Sequence, residues 1–84
     1  MPVIARFYGL IIKMYFQNAE HNPPHFHVIY GEYSGIFDIN TIKMLEGDLP
    51  IKAQALVIEW ATTYQKELLT IWKTQEFIML PPLE

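Results

Sequence analysis

Two hydrophobic rhythms divide the chain. In the first half apolar residues alternate with period two, as half-buried strands require. Leu10, Ile12, Met14 and Phe16 fall on one face of an extended segment, and Ile11, Lys13, Tyr15 and Gln17 fall on the other. Val3 to Phe7 predicts a shorter strand before it, with Gly9 marking a turn or bulge between the two. Asn18 to Pro24 has loop composition and closes on Pro23-Pro24. The strand pattern resumes from His25 to Tyr30, Gly31-Glu32 predicts a tight turn, and Tyr33 to Ile39 with Ile42 to Leu45 predict a hairpin about Asn40-Thr41.

The second half has helical period. Gly47 to Pro50 ends the sheet, and Pro50 suits the first helical position, with Asp48 near the positive helix end. Ala53, Leu56, Val57, Trp60, Ala61, Tyr64, Leu68, Ile71 and Trp72 recur every three or four residues, which puts them on one side of a helix. The opposite side offers little ion-pair support, so this helix depends on packing its stripe against the sheet. Pro81-Pro82 cannot continue it. The expected architecture is α+β: a small antiparallel β-meander of four to five strands packed against one long C-terminal helix, forming a single domain over residues 1–84. In that layout Trp60 and Trp72 are core residues.

Composition changes this picture in two ways. A chain of 84 residues buries only about 60% of its unfolded surface, yet this one is 51% hydrophobic and 14% aromatic. The excess predicts a subunit interface, most simply in a homodimer. The net charge of −3 disfavours a dedicated nucleic-acid binder, and no DNA contact is predicted. There is no cysteine, so disulfides and thiolate metal sites are excluded. No apolar run is long enough for a membrane span and the N-terminus does not read as a signal peptide; a cytoplasmic location is expected.

All three histidines, His21, His25 and His27, fall within seven residues. His25 and His27 are two apart on a predicted strand, so both rings project to one face, and Pro23-Pro24 stiffens the loop that carries His21. Three readings remain open. A divalent transition metal takes two or three imidazoles with a carboxylate, here Glu20, Glu32 or Asp38. Alternatively, His25 and His27 act as general acid and base on an RNA phosphodiester, with Arg6 or Lys13 stabilising charge and Tyr8, Tyr15 or Tyr30 donating a phenol. In the third reading the histidines are structural and Arg6 is a snorkelling edge residue. Phosphate loops, nucleophile elbows and metalloprotease helices are absent from the sequence, and Ser34, the only serine, has no triad context.

Arg6-Phe7-Tyr8-Gly9, Met14-Tyr15, His21-Asn22-Pro23-Pro24-His25-Phe26-His27, Tyr30-Gly31-Glu32-Tyr33, Leu45-Glu46-Gly47-Asp48-Leu49-Pro50 and Glu59-Trp60 together resemble the bacterial family catalogued as a domain of unknown function, number 4160. The resemblance covers nearly the whole chain. It implies a small stand-alone protein encoded beside a second small protein, in a pairing similar to toxin–antitoxin modules. It assigns no catalytic residue. Two classes of function follow: a toxin-like effector acting on RNA through the histidines, or a non-catalytic binding module, antitoxin-like or regulatory, whose apolar surface holds its partner.

Overall fold

The computed structural model describes residues 2–15 and 23–84. Within them lie five strands and two helices: β1 (Val3–Phe7), β2 (Leu10–Lys13), β3 (His25–Tyr30), β4 (Tyr33–Asp38), β5 (Lys43–Gly47), α1 (Ile51–Thr63) and α2 (Gln65–Thr74). The strands form one antiparallel meander in the order β1-β2-β3-β4-β5. Tyr8 and Gly9 join β1 to β2 with positive φ angles of 49° and 81°, the backbone pattern of a type I′ hairpin turn. Gly31 opens the β3–β4 turn at φ 59°, where a residue without Cβ is least strained.

Alternation sorts the strands' side chains cleanly. Phe7, Leu10, Ile12, Phe26, Val28 and Phe37 are buried on one face, against Ala53, Val57, Trp60, Ala61, Leu68 and Ile71 of the helices. Trp60 sits at the centre, its ring 5.4 Å from Phe7 and 6.1 Å from Phe26. Its indole Nε1 donates to the Pro81 carbonyl at 2.8 Å, and the Leu80 amide donates to the Ile4 carbonyl at 2.7 Å. These two bonds lay the C-terminal tail along the β1 edge. The β5 edge carries Lys43 and Glu46, and the register slips opposite Ile36 and Phe37, a bulge at Leu45. Charge and a bulge are the usual means of blunting an exposed edge.

Several details correct the sequence reading. The C-terminal helical run is two helices, not one, because Tyr64 leaves helical geometry at φ −108° and ψ 21°. The preceding Thr62 and Thr63 hydroxyls donate back to the carbonyls of Ile58 (2.7 Å) and Glu59 (3.2 Å), a contact that bends helices. The Gln65 amide then donates to the carbonyls of Ile39 (2.8 Å) and Asn40 (3.1 Å), holding the start of α2 against the β4–β5 loop. That loop spans four residues, 39–42, rather than the two expected. Pro50 is the residue before the helix rather than its first, and Asp48 does not cap it: its Oδ1 accepts from the Ser34 amide at 3.0 Å. β2 ends at Lys13, so Met14 and Tyr15 are not strand as expected, and Phe16 and Gln17 lie outside the described residues.

Candidate functional site on the outer face of the sheet

The helices cover one face of the sheet. Registers define what stands on the other, because residues paired directly across antiparallel strands point the same way. One row runs Lys13, His27, Ile36, Glu46. The next runs Arg6, Ile11, Ile29, Ser34 and continues to Asp48, whose amide donates to the Ser34 carbonyl at 2.9 Å. A third holds His25, Asp38 and Lys43. Ile11, Ile29 and Ile36 are half-buried and make an apolar centre. In the first two rows the cations lie toward β1 and β2 and the carboxylates toward β5, whereas the third sets Lys43 on β5 beside Asp38.

His25 and His27 project together as strand spacing requires, with ring centres 5.3 Å apart. Tyr15 meets His27 edge-on at 4.3 Å, and Trp72 of α2 meets His25 at 5.0 Å. Four aromatic rings thus form a continuous row from the end of β2 to the helical layer. The Nδ1 of His25 lies 2.9 Å from the Pro23 carbonyl oxygen. A carbonyl only accepts, so Nδ1 carries the proton and Nε2 is left as the basic nitrogen of the neutral ring. Pro23 therefore does more than stiffen the loop: it sets the tautomer. The pKa of His27 is lowered, chiefly because burial disfavours the imidazolium and next because His25 adds like charge, while Glu46 acts in the opposite direction.

The carboxylates proposed from sequence proximity to accompany the histidines stand apart from them or are engaged elsewhere. Glu32 is exposed at the tip of the β3–β4 turn, roughly 15 Å along the strand from His27. Asp38 is in register with His25, but its Oδ1 accepts from the amides of Asn40 (2.7 Å) and Thr41 (3.1 Å) in the following loop. Arg6 shares the outer face, two strands and one row from His27, roughly 12 Å between backbones. Tyr8 is exposed in the first hairpin turn and Tyr30 packs against the core. His21 and Glu20 lie outside the described residues. Among the described residues no group of three or more His, Asp or Glu is placed to hold a metal ion, and no helix is long and apolar enough to cross a membrane.

Two adjoining grooves open on this face. The larger, about 610 Å³, is lined by Tyr15, His27, Ile29, Ser34, Glu46 and Asp48 among others. The smaller, about 290 Å³, lies between Pro23, His25, Ile36, Leu45 and Glu46. Glu46, Asp48 and Trp72 are site residues that sequence proximity did not single out. Each is far from His27 along the chain, and only the sheet register or the helix placement brings it near.

A family model described as Domain of unknown function (DUF4160) matches residues 9–73. The chain belongs to this DUF4160 family. The match spans β2 through most of α2, so four of the five strands and the two described histidines lie inside it, while β1 with Arg6 lies outside. Neither the comparison with curated proteins nor that with solved structures found a match.

Proposed function

We propose that this DUF4160 chain is a protein-binding module, the antitoxin-like or regulatory member of a two-protein pair, and that it docks through the outer face of its sheet. The observation that carries this reading is the composition of that face. Half-buried Ile11, Ile29 and Ile36 alternate with His27, Lys13, Arg6, Glu46 and Asp48. An apolar centre with a charged rim is the anatomy of a protein interface. The larger groove is flanked by two carboxylates, which repel a phosphodiester and suit a basic or polar side chain. The test is co-expression with the small protein encoded beside it, followed by affinity purification and size-exclusion chromatography. Co-elution that is lost on Ile36→Glu, with the circular dichroism spectrum retained, supports docking by this face. A partner that binds the Ile36→Glu variant as well as the parent rules the face out.

The effector reading keeps one observation in its favour. His25 and His27 are adjacent, His27 is biased toward its neutral, proton-accepting form, and Lys13 stands directly across from it. That set has the parts for acid–base cleavage of RNA, or, with His21, for holding a divalent transition metal. Replacing both His25 and His27 by Ala separates the readings: loss of RNA cleavage or growth inhibition favours the effector, and unchanged partner binding with no such activity in the parent favours the module.

A further inference from the structure

The outer face is self-complementary. Its rows place Arg6 at the β1 end and Asp48 beyond the β5 end of one line, with Ile29 of the central strand midway between them. Lys13 and Glu46 lie on opposite sides of His27 in the neighbouring line. A two-fold axis along β3 would turn a second sheet over so that each β1 lies above the other's β5. Arg6 then faces Asp48 of the other copy twice, Ile29 meets its own equivalent on the axis, and Lys13 approaches the side that carries Glu46. An axis perpendicular to the strands along that line would instead set Arg6 on Arg6 and Asp48 on Asp48, like charge over like. Both axes give aligned sheet-on-sheet packing, and the charges of the Arg6–Asp48 line favour the one along the strands.

Resting on the reading of this face as a protein-docking surface, we infer that in the chain by itself, with no partner bound, its occupant is a second copy of this chain, packed sheet to sheet about an axis at Ile29, with Arg6 and Asp48 paired reciprocally across the interface. Edge-to-edge pairing is the competing route to a dimer, and both edges oppose it. The β1 edge is bonded by Leu80 at Ile4, and the β5 edge is bulged at Leu45 and charged. A stable pair takes about 800 Å² from each partner, a small part of the 5246 Å² that the chain exposes.

Sedimentation equilibrium on the purified chain tests this with a charge swap. The parent should sediment as two chains. Arg6→Asp and Asp48→Lys should each weaken self-association by about tenfold or more, because each sets like charges together twice. An equimolar mixture of the two should recover a dimer. In that mixed pair one contact joins the introduced carboxylate to the introduced ammonium, and the other keeps Arg6 on Asp48. Asp48 also binds the Ser34 amide, so a second pair, Lys13→Glu and Glu46→Lys, repeats the test without disturbing that bond. Ile29→Glu should give a folded monomer by circular dichroism. A parent that is monomeric at about 100 μM, or a dimer indifferent to Ile29→Glu and to both swaps, overturns the inference. A monomer that still binds the neighbouring protein through Ile36 overturns it while leaving the docking reading intact. A monomer that binds nothing removes both.

Discussion

The His25 and His27 rings lie 5.3 Å apart at a 60° angle, and His25 is anchored to the Pro23 backbone carbonyl. The two neighbouring imidazoles therefore have unequal surroundings. His25 is oriented from the loop side by Pro23, whereas His27 is flanked by Tyr15, Lys13, Glu46 and His25 itself.

The lowered pKa of His27 predicts a stability that falls in acid. In the unfolded chain this imidazole titrates near its ordinary value of 6.5, and in the folded chain it titrates below that. Above pH 6.5 both states are neutral and the group has no effect on stability. As pH drops through 6.5 the unfolded chain takes up the proton first, so stability declines until the folded form is protonated as well. His27→Gln should flatten that part of the profile. Urea denaturation of parent and variant from about pH 8 to about pH 5 checks it, and parallel curves would show that His27 is not responsible.

Asp38 should prove a turn residue. Its Oδ1 accepts two loop amides, and the loop ends on Ile42 at φ 55°, an unusual conformation for a β-branched residue. Asp38→Ala should cost about 1–2 kcal/mol, and Asp38→Asn, which keeps the acceptor, less than about 0.5 kcal/mol. Chemical denaturation measures both. A large loss in the Asn variant would point to a role for the charge itself.

Gly47 admits no side chain. It has φ 131°, and a Cβ there would strike the Ser34 carbonyl oxygen and the Gly35 Cα of the facing strand. Gly47→Ala should lower stability by about 2–4 kcal/mol. It should also disturb the Asp48–Ser34 bonds that extend the sheet beyond β5. The urea midpoint and the Ser34 amide chemical shift report the two effects.

Trp60 links the core to the tail. Trp60→Phe keeps most of the buried ring but removes the donor to Pro81, for an expected cost of about 1–3 kcal/mol. The distinguishing readout is hydrogen exchange at the Leu80 amide, which donates to Ile4. Exchange there should accelerate more than at Val28, in the central strand.

Much of this was legible along the chain. β1 and β3 fall where the alternation predicts them, and the stripe Ala53, Val57, Trp60, Ala61, Leu68, Ile71 is buried as its spacing requires. Both follow from local periodicity, which a one-dimensional pattern carries completely. The break at Tyr64 was harder to see, because apolar spacing continues through it. Its signal was Thr62-Thr63, two hydroxyls able to bond back to helical carbonyls.

Local order along the chain was enough to set the two-layer architecture and the shared direction of His25 and His27, since strand and helix periods act between near neighbours. The company those histidines keep is a different matter. Glu46 replaces Glu32 near them, Trp72 closes the ring row, and Arg6 and Asp48 end up at opposite ends of one line. Each of these follows from strand register and helix placement, which depend on many distant contacts at once and leave no mark at a fixed sequence separation.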